Sequence, residues 1–165
     1  MTLEDVPAVV QIEKDCFSQP WSEQSFCESI TREDTIFLVY ELTEEDDISF
    51  LSNTEEVSAN TCALATKVVA YIGMYLSFDE ASITNVAVSP SYRKRGIGEQ
   101  LVAEAKQSAK AAGAVQMLLE VRVSNEAAIV LYEKQHFSSL GIRKKFYQHP
   151  IEDAYIMSCD LTALE

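Results

Sequence analysis

The stretch Ala81-Ser82-Ile83-Thr84-Asn85-Val86-Ala87-Val88-Ser89-Pro90-Ser91-Tyr92-Arg93-Lys94-Arg95-Gly96-Ile97-Gly98 has the form of a strand, a tight turn and the opening of a helix. Its strand is irregular. By alternation Ala81 and Ile83 share one side, whereas Val86 and Val88 fall on the opposite parity. One extra residue near Thr84-Asn85, a β-bulge, would return all four to one face. The alternative is a strand buried on both faces, where parity carries no information. The turn that follows suits an anion. The first N–H groups of a helix lack intrahelical acceptors and sit at the positive end of its dipole. Gly96 and Gly98 let a ligand approach the backbone, and Arg93, Lys94 and Arg95 add charge. Glycine turns also serve packing, so the motif alone is weak. The dinucleotide fingerprint fails for want of a third glycine, since Glu99 and Val102 occupy that region, and there is no Gly-Lys-Ser/Thr.

Three cations in one turn stand out because the chain carries a net charge of −13. Residues 1–80 hold three Lys/Arg against seventeen Asp/Glu, and residues 81–165 hold ten against nine. That balance argues against a nucleic-acid partner. With 165 residues, 47% of them hydrophobic, one globular domain with an ordinary core is expected. No apolar run reaches the length of a membrane span, and the acidic start Met1-Thr2-Leu3-Glu4-Asp5 has neither the basic nor the apolar part of a signal peptide. A cytoplasmic protein without a membrane partner is the expectation. Cys16, Cys27, Cys62 and Cys159 lack metal-ligand spacing and the histidines are only His136 and His149. No metal site is expected, and reduced, core-filling thiols are.

Along the chain, Asp5 with Val6-Pro7 marks a helix start, and Val9, Val10, Ile12, Cys16 and Phe17 recur at helical spacing. Ser18-Gln19-Pro20-Trp21 breaks that helix, and Ser22 caps a second one to about Thr31. Ile36–Tyr40 and Val68–Tyr75 are strands. Residues 43–61 are acidic and polar, and are expected to be a mobile hairpin excursion with little to bury. After Gly98, the stripe Leu101, Val102, Ala105, Ala109, Ala112 ends at Gly113, a left-handed terminator. Met117–Val123 is a strand, Ser124-Asn125 caps a helix through Tyr132, and Phe137–Phe146 and Asp153–Leu161 are the last strands. The result is a mixed α/β domain.

A second constellation lies at Leu119-Glu120-Val121-Arg122. Alternation sends Glu120 and Arg122 to one face of an otherwise apolar strand, where an unpaired charge would be costly. They are either a cross-strand ion pair or part of a site. Tyr132, seven residues past Asn125 and two turns along the helix, points back at the strand end. It is either a core aromatic or a proton donor.

Taken jointly, Phe17 with Pro20-Trp21-Ser22, Thr84-Asn85-Val86-Ala87-Val88, Arg93-x-x-Gly96-x-Gly98, Leu119-Glu120-Val121-Arg122 and Ser124-Asn125-x-Ala127-Ala128-x-x-x-Tyr132 resemble the GNAT acetyltransferase superfamily. More narrowly they resemble the RimI-type N-terminal alanine acetyltransferases of ribosomal proteins. The resemblance runs from about Leu3 to Leu161. It implies a central, mostly antiparallel sheet with splayed strands flanked by helices, and acetyl-CoA as co-substrate. Its pantetheine would lie along Val86, Ala87 and Val88, its pyrophosphate on the amides of Arg93, Lys94, Arg95, Gly96, Ile97 and Gly98, and Asn125 would contact the pantetheine side. The resemblance further implies Glu120 as base and Tyr132 as acid for the departing thiolate. Phe17, Trp21 and Tyr147 would wall an acceptor site in which Arg122 orients the acceptor backbone, although Trp21 could equally be a helix-packing residue. The implied acceptor is a protein N-terminal amine, the alanine of a small-subunit ribosomal protein. The alternatives are a related enzyme acting on a small amine or a lysine, or a non-catalytic acyl-CoA-binding module. Two departures from the pattern are His136 where the family has glycine, which predicts a reshaped turn, and the length of the acidic excursion.

Overall fold

The computed structural model describes residues 1–43 and 66–163. Apart from Thr43, the acidic excursion expected at 43–61 lies outside the described residues, as does Cys62. Helices α1 (Val6–Cys16) and α2 (Glu23–Ile30) are followed by strands β1 (Thr35–Thr43), β2 (Thr66–Ser77) and β3 (Glu80–Val88). Then come α3 (Ile97–Ala111), β4 (Gln116–Arg122), α4 (Glu126–Lys134), β5 (Ser138–Gln148) and β6 (Ile151–Asp160). The six strands form one sheet in the order β1-β2-β3-β4-β6-β5. Each neighbouring pair is antiparallel except β3 and β4.

Local sequence accounts for the element ends. Pro7 sits in the first turn of α1, where its missing N–H is harmless. The Ser22 side chain accepts from Ser25 N at 3.1 Å and starts α2, and Asn125 Oδ1 accepts from Ala128 N at 3.2 Å and starts α4. Beyond α3, Gly113 takes φ +96°. The turn after α4 is not reshaped. His136 itself adopts φ +68°, with Phe137 N bonded to Tyr132 O and His136 N to Glu133 O, both at 3.0 Å. That is the paired closure usually made with glycine. The buried Lys106 of α3 donates to Gln135 O at 2.9 Å, holding the carbonyl end of α4.

The sheet is covered on both faces. On one, Ile97, Leu101, Val102, Ala105 and Ala109 of α3 pack with Ile72, Met74, Ile83, Met117, Leu119 and Met157. On the other, Val6, Val9, Val10 and Ile12 of α1 and Phe26 of α2 pack with Phe37, Tyr71 and Ala87. Phe26 meets Tyr71 edge-on at 5.5 Å and Phe37 at 6.1 Å, a favourable aromatic geometry. Over β4, β6 and β5 this second face carries Glu120, Arg122 and Arg143, which are half-buried or exposed.

Candidate active site

Strands β3 and β4 pair only from Glu80–Gln116 to Ile83–Leu119. Both continue, but they part. The cause is on β3, where Met74 pairs with Ile83 and Gly73 with Asn85, leaving Thr84 as the extra residue. This is the expected bulge, and it does return Val86 and Val88 to the face of Ala81 and Ile83, against the core under α3. Thr84 Oγ1 donates to Gly73 O at 3.0 Å and satisfies the disturbed ladder. Gly73 is required there because the Phe37 ring crosses it, and an added Cβ would lie 2.9 Å from Phe37 Cδ1.

The register also fixes which amides line the split. Ser89 N donates to Val69 O at 2.9 Å, so Val88–Ala70 and Val86–Ile72 are pairs whose N–H and C=O groups turn away from the partner strand. Val86 and Val88 therefore present their backbone to the split. Ala87 instead turns its backbone to β2 and its methyl into the core under α1. The Val88 carbonyl accepts from Arg93 Nε at 3.0 Å and from Cys16 Sγ at 3.5 Å, and the Arg93 guanidinium lies 3.1 Å from Cys16 Sγ. Burial, only partly offset by Arg93, pushes the Cys16 thiol up.

At the end of β3 the chain curls through Lys94 at φ +61° and Gly96 at φ +81°. The first helical bond of α3 is Gln100 N to Gly96 O at 3.0 Å, which leaves the amides of Ile97, Gly98 and Glu99 at the helix end without intrahelical acceptors. The concavity suits an anion. Ile97 contributes only backbone, since its side chain is in the core. Gly98 also serves packing, because a Cβ there would stand 2.8 Å from Leu131 Cδ1 of α4.

Glu120 and Tyr132 flank the split from opposite faces. Glu120 stands on the α1/α2 side, paired at 3.0 Å with Arg143 of β5, with 31% of its side chain exposed. Tyr132 lies in the α3/α4 core beside Phe137. Burial, reinforced by Tyr147 nearby, raises its phenol far above the ordinary value, so it stays protonated. Tyr147 joins the two sides: its hydroxyl donates to Glu120 O at 3.2 Å. Burial raises its phenol too.

Among the described residues, Arg122 makes three side-chain hydrogen bonds, all into the β5–β6 hairpin. It pairs with Glu152 at 2.9 Å, donates to His149 O at 3.0 Å and Pro150 O at 3.3 Å, and lies over the Tyr147 ring at 4.0 Å. Glu152 also accepts from Ser124 N at 2.8 Å, and hydrogen bonding from Ser124, side chain before backbone, and then from Arg122 lowers its carboxyl. Arg122 thus builds the β5–β6 hairpin beside the site. Ser18 Oγ donates to the same His149 carbonyl at 3.2 Å, which brings the Phe17–Trp21 loop against the hairpin. Trp21 packs at 5.5 Å on Phe26 and 6.4 Å on Phe37, so it is a partly buried packing residue at the edge of this wall. Asn125, at the exposed end of β4, caps α4 with its side-chain oxygen. A separate groove of about 530 Å³, lined by Leu38, Tyr40, Leu101 and Glu104, lies between β1 and α3.

Two residues went unread in the sequence. Arg143 was hidden in an Arg-Lys-Lys run that gives no sign of which cation faces inward. Glu13 was legible: it lies four residues from both Val9 and Phe17 on the apolar stripe of α1, and is fully buried. It accepts from Trp21 N at 3.2 Å, Asn85 Nδ2 at 3.0 Å and the Tyr71 hydroxyl. Burial outweighs these bonds and raises its carboxyl. Among the described residues there is no cluster of three metal-ligating side chains, and no helix is long and apolar enough to cross a membrane.

Comparison with known proteins agrees with this geometry. Residues 6–137 match the acetyltransferase (GNAT) family. A Bacillus subtilis (strain 168) protein provisionally named a ribosomal protein bS18-alanine N-acetyltransferase is 34% identical over 157 residues, 95% of this chain and 90% of the relative. The Salmonella typhimurium (strain LT2) ribosomal protein bS18-alanine N-acetyltransferase is 32% identical over 160 residues, 96% of this chain and 93% of the relative. The crystal structure of the ribosomal-protein-S18-alanine N-acetyltransferase from Escherichia coli superposes with a TM-score of 0.75 at 28% identity, covering 100% of this chain and 93% of that one.

Proposed function

This chain belongs to the acetyltransferase (GNAT) family and is an acetyl-CoA-dependent N-acetyltransferase, and we propose that its acceptor is the α-amine of a protein N-terminus, the alanine that begins a small-subunit ribosomal protein. The observation that carries the reading is the split. Two parallel strands part after four pairs, exposing the Val86 and Val88 backbone between a carboxylate on one face and a protonated phenol on the other. The names of the two relatives support the acceptor.

In this reading the pantetheine arm of acetyl-CoA extends β3 across the split, hydrogen-bonded to Val86 and Val88, and the pyrophosphate rests on the amides from Arg93 to Gly98. Arg93 then leaves the Val88 carbonyl. The acceptor amine enters from the Glu120 face. An α-amine titrates near about 7.8 and a lysine near about 10.4, so the former needs far less help at neutral pH. Glu120, directly or through a water, takes the proton as nitrogen attacks the thioester carbon. The oxyanion is met by a backbone N–H at Val86. As the tetrahedral intermediate collapses, the C–S bond breaks and the Tyr132 hydroxyl delivers a proton to the sulfur. Arg122 acts through the hairpin, holding Tyr147 and the loop at Ser18 in place. The reading takes the chain as one catalytic domain working in the cytoplasm, where a ribosomal acceptor is made, with no role for a metal, a nucleic acid or a membrane.

The test is to incubate the protein with acetyl-CoA and alanine-initiated peptides with free or blocked N-termini, and to locate product by mass spectrometry. Product on the free α-amine, reduced at least about tenfold in Tyr132→Phe, supports the reading. Product confined to lysines or small amines, or CoA binding without turnover, refutes it.

A further inference from the structure

Among the described residues, two charged side chains are buried, Lys106 and Glu13. Lys106 caps a helix end. Glu13 has no such local explanation, since it sits mid-helix and its partners are three neutral donors. A buried carboxylate without a cation is costly, and an apolar residue at this point of the α1 stripe would fill the core as well. The carboxylate is distinctive in what it joins. Oε1 receives both Trp21 N, in the loop between α1 and α2, and Asn85 Nδ2, on the bulge. Oε2 receives the Tyr71 hydroxyl from β2. One oxygen thus links the loop that walls the acceptor side to the residue immediately before Val86.

We propose that Glu13 is a positioning residue that ties the Phe17–Trp21 loop to the β3 bulge, so that the acceptor wall and the oxyanion-binding amide keep one fixed relation. The inference rests on the proposed function for the roles of those two segments. The hydrogen bonds that make the tie stand without it. Both segments are irregular backbone, the loop having no ladder of its own and the bulge having interrupted one. Small displacements of a reacting geometry are costly in rate, which gives a fixed link between them a purpose.

The test uses the full chain. Glu13→Leu removes the tie. Glu13→Gln keeps an oxygen for Trp21 N and Asn85 Nδ2 and offers its amide to the Tyr71 oxygen. Asn85→Ala cuts the bulge end alone. Glu13→Leu and Asn85→Ala are each expected to lower kcat/KM for the peptide acceptor by about tenfold, and the double variant by no more than the worse single, because they remove one shared interaction. Glu13→Gln stays within about threefold of wild type, and KM for acetyl-CoA moves less than about twofold throughout, since the pyrophosphate turn is untouched. A second readout needs no activity. Trp21 is the single tryptophan, and acrylamide quenching of its fluorescence rises in Asn85→Ala although Asn85 bonds Glu13 and not Trp21. Multiplicative losses in the double variant, or Trp21 quenching in Asn85→Ala equal to wild type, overturn the proposal. If Glu13→Leu does not fold, Asn85→Ala and Glu13→Gln carry it. If the wild type acetylates no N-terminus, the proposed function fails and the quenching result still decides the tie.

Discussion

Replacing Glu120 with glutamine isolates the step that distinguishes an α-amine acceptor from a lysine. The substituted side chain keeps an amide oxygen for Arg143, and the pair it weakens is 31% exposed on the glutamate side and 57% on the arginine side. Such a pair contributes no more than about 1 kcal/mol, which corresponds to a Tm loss of roughly 2–4 °C in a chain of this size. Unfolding therefore does not confound the kinetics. At pH 7 an α-amine of pKa about 7.8 is roughly one-seventh neutral, so supplying the free base accounts for about sevenfold of the contribution of Glu120. The rest is proton removal as the N–C bond forms, here about a further sevenfold, below the usual range of about 10²–10⁴ for a positioned base because water can take the proton in its place. The expected loss in kcat/KM on an alanine-initiated peptide is about fiftyfold at pH 7, shrinking to about sevenfold at pH 9, where solvent has already deprotonated the amine. The assay is thiol release from acetyl-CoA at both pH values, with saturating donor and subsaturating peptide. A variant within twofold of wild type at pH 7, or a loss equal at pH 7 and pH 9, would show that Glu120 orients the acceptor and does not deprotonate it.

Gly73→Ala drives a methyl into the Phe37 ring, which is buried at the edge of the aromatic cluster; chemical denaturation should report a loss of about 1–3 kcal/mol, with kcat falling as the bulge opposite is disturbed. His136→Gly should stabilise by about 0.5 kcal/mol in the same assay, relief of a left-handed non-glycine residue slightly exceeding the added chain entropy. Glu13 gives a pH signature. Its carboxyl is raised in the folded state, so from the ordinary value of 4.5 upward the native chain binds more protons than the unfolded one, and stability from this group falls as pH rises. Glu13→Gln removes that dependence. Differential scanning from pH 4.5 to 7 should show its Tm declining less than that of wild type, and parallel curves would count against a buried, proton-hungry carboxylate.

The framework was legible wherever a local rule had no competitor. Pro7, Ser22, Asn125 and Gly113 each fixed an element end, and the parity break between Ile83 and Val86 pointed to a bulge near Thr84-Asn85, which the register places at Thr84. What could not be read was partner choice at a distance. Alternation sent Glu120 and Arg122 to one face and offered a cross-strand ion pair, without saying which strand supplies the partner. The structure gives Arg122 to Glu152 of β6, the strand beside β4, and Glu120 to Arg143 of β5, one strand further out. His136 misled for a related reason. Its left-handed cost was visible, but not the two closing hydrogen bonds that hold the turn. Of the two readings of Trp21, the structure shows the packing one, its ring on Phe26 and Phe37 and its amide donating to Glu13.

The bulge does more than bend a strand. In a regular parallel pair the β4 backbone would continue to occupy the outer edge of β3, leaving nothing for a thioester to bond. One inserted residue lets the two strands part, and the same insertion sends Val86 and Val88 to the face under α3 while Asn85 turns to Glu13 under α1. Because Glu120 and Tyr132 project from opposite faces of the opened edge, the proton removal from nitrogen and proton delivery to sulfur that we propose for them would not compete for one space. The amine can approach from one side of the thioester carbon while the thiolate departs toward the other. The Arg93–Gly98 turn adds the distance constraint. In the proposed function it holds the far, anionic end of the donor at the C-terminal end of β3, so that the length of the arm would set the acetyl group at the bulge. A chain that kept the glycines but closed the split would still bind an anion. It would have no slot in which to react.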